Sequence, residues 1–549
     1  MFIQLRKLFL LSFICICFGL NAQTKNLERP KLVVGLVVDQ MRWDYLYKYY
    51  DRYGEDGFKR MLNEGFTAEN TFIPYVPTYT AIGHSTVYTG SVPAIHGIAG
   101  NNFYIKKTQT RVYCTQDDSV SGVGLDPTNK AGKMSPKNLL TSTITDELKL
   151  ATDFQSKVFG VSLKDRGAIL PVGHYGDAAY WMVDGNWVSS SFYMDELPNY
   201  VKKFNREDRT THYLNQGWNT LYDLETYNSY VGDDNSYEEP FVKGEKTTFP
   251  LDLKEISKEV GRDLIKTTPY GNTITFDFAK VLIENENLGN NPAGVPDFLA
   301  VSLSSPDYIG HQFALNSAKV EDNYLRLDKE LGEFLKYLDA KIGKGNYTIF
   351  LSSDHGAAHN PQFVIDEGGN AGFFPRKELM DEINSILEKE YGFEKLIYNV
   401  YNNQVHLNHH LIDENQLDAE EIKSKVIRFY KKQEHVSFAV DMENLANSSL
   451  PNPLKSMAIN GYNFHRSGDI LLVYDPQWYD YYGSKAGTTH GSWNPYDSHI
   501  PLVFMGWGIK QGKTHQTTYM TDIASTLAAL LHISQPNGNI GNPIVDLLN

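Results

Sequence analysis

Cysteine is scarce in this 549-residue sequence: there are three, and two of them, Cys15 and Cys17, fall within the first 22 residues. If that stretch is removed, Cys114 stands alone and no intrachain disulfide can form. The fold must then be held by its core, and by metal if it binds any. Long apolar runs are lacking as well. The run Leu8 to Leu20 is shorter than the ~20 residues a bilayer-crossing helix needs. With Arg6 and Lys7 ahead of it and Leu20-Asn21-Ala22 behind, it predicts a signal peptide over residues 1–22, cut before Gln23, and hence export. A lipoprotein signal would place a cysteine at the cut, and none stands there.

Positive charge is in short supply too. Lys and Arg total 51 against 66 Asp and Glu, a net charge of −15, and losing Arg6 and Lys7 makes the chain more acidic still. Such a surface disfavours nonspecific nucleic-acid binding and repels anionic substrates at long range. Any phosphate chemistry has to rest on metal ions and a few well-placed basic side chains. No fixed-period repeat or low-complexity linker interrupts the chain, and no feature points to an obligate protein partner or to stable membrane insertion.

What the sequence does contain is a set of short aliphatic runs. KLVVGLVV (31–38), KVFGVSL (157–163), PDFLAVSLSS (296–305) and YTIFLSS (347–353) read as strands buried on both faces, followed late in the chain by DILLVYD (469–475) and IPLVFMG (500–506). Helical patterns lie between several of them, as from Glu321 to Leu338, and a capped apolar stripe from Thr521 to Leu531 closes the chain. The alternation predicts an α/β domain over 23–549, a mostly parallel sheet with helices on both faces. Two stretches break the rhythm, about 167–290 and about 368–465, and are expected to be insertions capping one edge.

Chemistry-bearing residues follow the strands. Asp39 ends the first, Asp307 follows 296–305, and Asp354-His355 end 347–353. Ligands of open α/β sheets bind beyond the carboxyl ends of the strands, so three such ends point to one place. A single aspartate after a strand is ordinarily a turn or cap; three, supplemented by histidines, are harder to dismiss. Asp307 and His311 stand four residues apart and share a side if that turn is helical. Carboxylate plus imidazole suits zinc better than magnesium. His490 sits in the glycine-flanked loop Gly487-Thr488-Thr489-His490-Gly491-Ser492. In Pro77-Thr78-Tyr79-Thr80-Ala81-Ile82-Gly83-His84 a loop enters a helix, where a hydroxyl meets the positive end of the helix dipole. Thr80 there is either an N-cap or a nucleophile that needs a metal to activate it.

As an ordered set, these motifs resemble the alkaline phosphatase superfamily. More narrowly, they are similar to the periplasmic, phosphate-irrepressible alkaline phosphatases of Bacteroidetes-type bacteria, which use a threonine nucleophile. The resemblance runs from Asp39 through Thr80, Asn101 and Lys164/Arg166 to His490 and the closing helix. It implies two Zn2+ ions, one held by Asp307, His311 and His490, the other by Asp39, Asp354 and His355 with Thr80 also bound. It further implies a phosphothreonine intermediate on Thr80, a phosphate contact from Asn101, and a grip on nonbridging oxygens by Lys164 and Arg166. On an extended segment these two would share a side while Asp165 faces away. That pair favours monoesters, which carry more charge than diesters, over the reaction of a zinc phosphodiesterase or phosphonate hydrolase. Small-molecule phosphate monoesters are therefore the expected substrates. His84, His96, His174, His359 and His499 exceed the ligand count and are expected to be supporting residues.

Overall fold

A computed structural model describes residues 28–227, 231–480 and 484–548 of the chain. The signal peptide expected over 1–22 lies outside them. Strand Leu32–Val38 sits inside a mixed sheet of eleven strands among the described residues. It pairs in parallel on both sides, with Asp297–Leu303 and with Tyr347–Ser352. Val158–Ser162 continues in parallel beside Asp297–Leu303, and Ala178–Val183 beside that. On the other flank Leu502–Gly506 runs antiparallel to Tyr347–Ser352 and leads on to Phe66–Phe72.

The uninterrupted apolar character of the central strand follows from two covered faces. Val33 and Val37 enter one core while Leu32, Val34, Leu36 and Val38 enter the other. Helices Thr80–Thr89, Asp165–Val172 and Asp522–Leu531 pack on the first face; Tyr270–Asn285 and the long Ala318–Leu338 pack on the second. Ser317 starts that long helix by accepting a hydrogen bond from the Val320 N–H. The α/β architecture with helices on both faces is thus the one the strand pattern implied.

Two placements differ from the sequence reading. Strands Ala178–Val183 and Asn186–Ser190, inside the stretch read as a cap over about 167–290, extend the main sheet. Their sequences, AAYWMV and NWVSS, carry the apolar load on rings and small residues, which hides the aliphatic signature of a buried strand. The run at 469–475 forms strand Ile470–Tyr474, but it belongs to a separate four-stranded sheet with Ile397–Tyr401, Gln404–Leu407 and Val436–Asp441. It is apolar on both sides because Ile470, Leu472 and Tyr474 face one small core and Leu471 and Val473 another. A short parallel pair, Gly372–Phe374 with Trp478–Asp480, forms the neck through which the chain enters and leaves this second insertion.

Candidate active site

The strand ends converge. Asp39 follows Leu32–Val38, Asp354 and His355 follow Tyr347–Ser352, and Asp307 and His311 lie on helix Ser305–Phe313, which begins just after Asp297–Leu303. The helical spacing does bring the last two together: His311 Nε2 is 3.1 Å from Asp307 Oδ1. His490 Nε2 approaches the same oxygen at 3.7 Å. His355 Nε2 is 3.4 Å from Asp39 Oδ1, 3.5 Å from Asp354 Oδ2 and 3.3 Å from Thr80 Oγ1.

Thr80 is the first residue of its helix, and Tyr79 holds the cap position without a side-chain cap bond. The threonine hydroxyl is therefore aimed at the carboxylate–histidine cluster. The helix reaches so close because residue 83 is glycine: a Cβ there would lie 2.4 Å from the Asp354 carbonyl oxygen. Asn101 accepts a hydrogen bond from the Ala81 N–H through Oδ1 at 2.9 Å, which leaves its Nδ2 as the donor. Lys164 ends the extended segment, and Asp165 already begins a helix. The alternation expected from an extended segment therefore does not apply at Arg166. Arg166 instead donates to the Tyr113 hydroxyl at 3.0 Å, and that hydroxyl donates to Asp165 Oδ1 at 2.8 Å.

Two groups of side chains have ligand atoms that all lie within 4.8 Å of one another: Asp39, Asp354 and His355, and Asp307, His355 and His490. The first is the set the sequence implied. The second contains His355 where His311 was expected, although His311 touches the same Asp307 carboxylate.

The chemistry of these donors fits a metal. All three histidines have Nδ1 next to a backbone carbonyl, that of Thr488 for His311, Gly356 for His355 and Thr78 for His490, at 2.7, 2.9 and 2.7 Å. Each carbonyl orients its ring so that Nε2 faces the site. Burial would lower His311, but the neighbouring Asp307 carboxylate raises it, so this imidazole has to shed a proton before it can bind a metal. Burial, reinforced by neighbouring His355, keeps His490 well below the usual histidine range, and burial lowers His355 too, so both are neutral as ligands must be. Asp39 Oδ1 is buried without a hydrogen-bond donor among the described residues, and Asp354 Oδ2 is approached by His84 Nδ1 at 3.3 Å. Burial and the neighbouring Asp354 carboxylate push the Asp39 carboxyl well up. Burial would raise Asp307 as well, but His311 and Lys164 outweigh it and hold it well below the carboxylate range. Lys164 Nζ donates to Asp39 Oδ2 at 2.7 Å and to Asp307 Oδ2 at 2.5 Å, and is the one ammonium paired with these carboxylates among the described residues. That charge imbalance calls for further cations.

Above the site is a cavity of about 330 Å³. Tyr79, Asn101, His311 and His490 line it from the main fold; Phe373, Tyr401, Asn402, Tyr479 and Asp480 line it from the second insertion. Lys164 and Arg166 also border a separate cavity of about 380 Å³ with Tyr113, Tyr308 and Trp181.

Three contributors had no role assigned from the sequence. Gln40 donates to Asp354 Oδ1 through its backbone N–H at 3.2 Å and to Asp307 Oδ1 through Nε2 at 2.7 Å, tying the two groups together. Its position next to Asp39 was the available signal. Tyr113, across a hairpin from Asn101, had none. Asp497 accepts from the Gly491 and Ser492 N–H groups and so braces the His490 loop. Of the surplus histidines, His84 reaches the site, with Nδ1 3.3 Å from Asp354 Oδ2 and Nε2 2.8 Å from Ser302 Oγ.

Residues 33–497 match the type I phosphodiesterase / nucleotide pyrophosphatase family. The chain is 60% identical over 530 residues, 96% of each chain, to a Myroides odoratus protein named calcium-transporting ATPase. It is 46% identical over 546 residues, 99% of each, to alkaline phosphatase PafA of Elizabethkingia meningoseptica. The crystal structure of wild-type PafA matches with a TM-score of 0.92 at 45% identity, over 96% of this chain and all of that one. A second PafA structure, of a mutant in which a threonine, an asparagine, a lysine and an arginine are replaced, matches equally well.

Proposed function

Since the chain belongs to the type I phosphodiesterase / nucleotide pyrophosphatase family and is an alkaline phosphatase of the PafA kind, we propose that it hydrolyses phosphate monoesters with two zinc ions and a nucleophilic Thr80. The observation that carries this reading is the meeting of two carboxylate–histidine groups at one buried hydroxyl, with Lys164 alongside. His355 Nε2 is nearest Thr80 and Asp39, which supports Asp39, Asp354 and His355 as one site. His311 then joins Asp307 and His490 in the other, three protein ligands each. Ions bound there would supply Lewis acidity, lowering the proton affinity of the threonine hydroxyl and of water and balancing charge on the departing oxygen.

The chain's own residues account for the rest. Thr80 Oγ1, held at the helix N-terminus, loses its proton to water and forms a bond to phosphorus as the bond to the leaving oxygen breaks, and that oxygen takes a proton from water to depart as the alcohol. Water then hydrolyses the phosphothreonine, which releases inorganic phosphate and restores the hydroxyl. Asn101 Nδ2, Lys164 and Arg166 stabilise the nonbridging oxygens, and Tyr113 orients Arg166. The PafA mutant supports these roles, because Thr80, Asn101, Lys164 and Arg166 are the same residue types in the same order. The name of the Myroides relative speaks of ATP, whose terminal phosphoryl group is also multiply charged, and so makes ATP a substrate to assay. Among the described residues no helix is long and apolar enough to cross a membrane. The leader-like residues 1–22 support an exported, periplasmic enzyme.

The test is to measure bound metal in the purified protein and to compare an aryl phosphate monoester with the corresponding diester, with and without Lys164→Ala plus Arg166→Ala. A large loss confined to the monoester is expected. Dominant diester hydrolysis by the unmodified protein would overturn the monoesterase reading in favour of a phosphodiesterase.

A further inference from the structure

The second insertion does more than roof the cavity. Strands Ile397–Tyr401 and Gln404–Leu407 form a hairpin whose turn residues, Asn402 and Asn403, have φ of 55° and 59°. A two-residue turn of this hand demands left-handed backbone at both positions, which asparagine tolerates. The turn is pressed against the main fold. Asn402 Nδ2 donates to the carbonyl of Asn102 at 2.9 Å, one residue beyond Asn101. On the other side of Asn101, a Cβ on Gly100 would lie 2.5 Å from the same Nδ2. Asn402 thus occupies space that only a glycine at position 100 leaves open.

Asn101 is fixed at two further points, its carbonyl accepting from the Cys114 N–H at 3.0 Å and its Oδ1 from the Ala81 N–H. The hairpin it leads into, Asn102–Ile105 with Thr110–Tyr113, is gripped along its length by the insertion. Asn399 Nδ2 donates to Tyr104 Oη at 2.7 Å, Gln109 Nε2 donates to Asn408 Oδ1 at 2.9 Å, and Lys106 Nζ pairs with Asp469 at 3.1 Å. Directly across from Asn102 the same hairpin carries Tyr113, which meets Arg166.

We propose that Asn402 is a positioning residue: from the tip of the insertion's hairpin its amide fixes the Gly100–Asn102 backbone, so that Asn101 Nδ2 stays aimed at the phosphoryl group. This rests on Asn101 being a phosphate contact. Asn402 itself acts through Asn101, and misplacing a contact by about 1 Å costs up to about 100-fold in rate.

The experiment uses the full metal-loaded enzyme, an aryl phosphate monoester as substrate and inorganic phosphate as competitive inhibitor. Asn402→Gly keeps the left-handed turn and removes only the amide; Asn403→Gly is the control for the turn. Asn402→Gly is expected to lower kcat/KM and weaken phosphate inhibition, each about tenfold, with metal content unchanged. Asn403→Gly should change neither by more than about twofold. In an Asn101→Ala background, Asn402→Gly should have no further effect. Equal losses in both backgrounds would overturn the proposal while leaving the role of Asn101 standing, and so would an unchanged inhibition constant for phosphate. An Asn101→Ala enzyme with unaltered kcat/KM would overturn both.

Discussion

One hydroxyl, that of Tyr113, ties the Arg166 guanidinium to the Asp165 carboxylate. Tyr113→Phe removes both bonds while keeping the ring. The expected result is a fall of about tenfold in kcat/KM for an aryl monoester, with diester hydrolysis changed by less than about twofold, because only the monoester depends on the added cation. Parallel steady-state assays on the two substrates check it. Thr80→Ala should abolish turnover through a phosphoenzyme, and acid quenching with labelled substrate should trap no phosphothreonine. At this scale the sequence was legible wherever a residue ends a strand or stands one helical turn from a partner, as with Asp39, Asp354, His355 and the Asp307–His311 pair. Tyr113 lies 12 residues past Asn101, brought back by a hairpin, and nothing local in the sequence marks it. The split of histidines between the two sites is equally a matter of three-dimensional distance, since His355 stacks on His490 at 3.5 Å.

At the scale of elements, helix Thr80–Thr89 has little room to move. All ten of its residues are buried, and it packs glycine-first onto the Asp354 backbone. Gly83→Ala would place a methyl 2.4 Å from a carbonyl oxygen, so either the helix or the strand end must shift. We expect a destabilisation of about 1–3 kcal/mol, as for other overpacked cores, together with loss of bound metal. Urea unfolding and metal analysis of the same preparation would show the two losses together, and a variant that keeps full metal content would count against the close packing. Strand Ile470–Tyr474 shows the limit of reading elements from patterns. A run buried on both faces is recognisable as a strand, yet the pattern is the same whether the two covering layers belong to the main sheet or to a smaller one. Ala178–Val183 shows the converse case, a main-sheet strand concealed by rings and small residues.

For the molecule as a whole, the buried charge is expected to couple stability to metal. Asp39, Asp307 and Asp354 come from separate strand ends and are almost wholly buried. Chelation should therefore lower the melting temperature as well as abolish activity, and added zinc should restore both in a concentration-dependent way, by about 2.7 kcal/mol at a hundredfold excess over Kd. Calorimetry across a zinc titration measures this. A second whole-molecule expectation concerns acid. Burial pushes His406, in the second insertion, down to about 4 from an ordinary 6.5. A depressed folded value means that the unfolded chain binds the proton first, so stability present above pH 6.5 is lost as pH falls through about 4. By pH 5 the loss is on the order of 2 kcal/mol. His406→Gln should shrink the difference in urea midpoint between pH 7 and pH 5; an undiminished difference would assign the acid sensitivity elsewhere.

The neck of the second insertion has an evolutionary consequence. The outgoing and returning chains lie side by side in the parallel pair Gly372–Phe374 and Trp478–Asp480, while the main sheet's order and register are set entirely by strands outside it. Lengthening, shortening or exchanging what hangs from that pair leaves strand order untouched, so the insertion behaves as a cassette with its own splice point. Because Phe373, Tyr479 and Asp480 line the cavity from that same neck, such an exchange would carry a new substrate preference with it. The carboxylate–histidine cluster at the strand ends would meanwhile be inherited unchanged, which is one route by which a single centre can diversify.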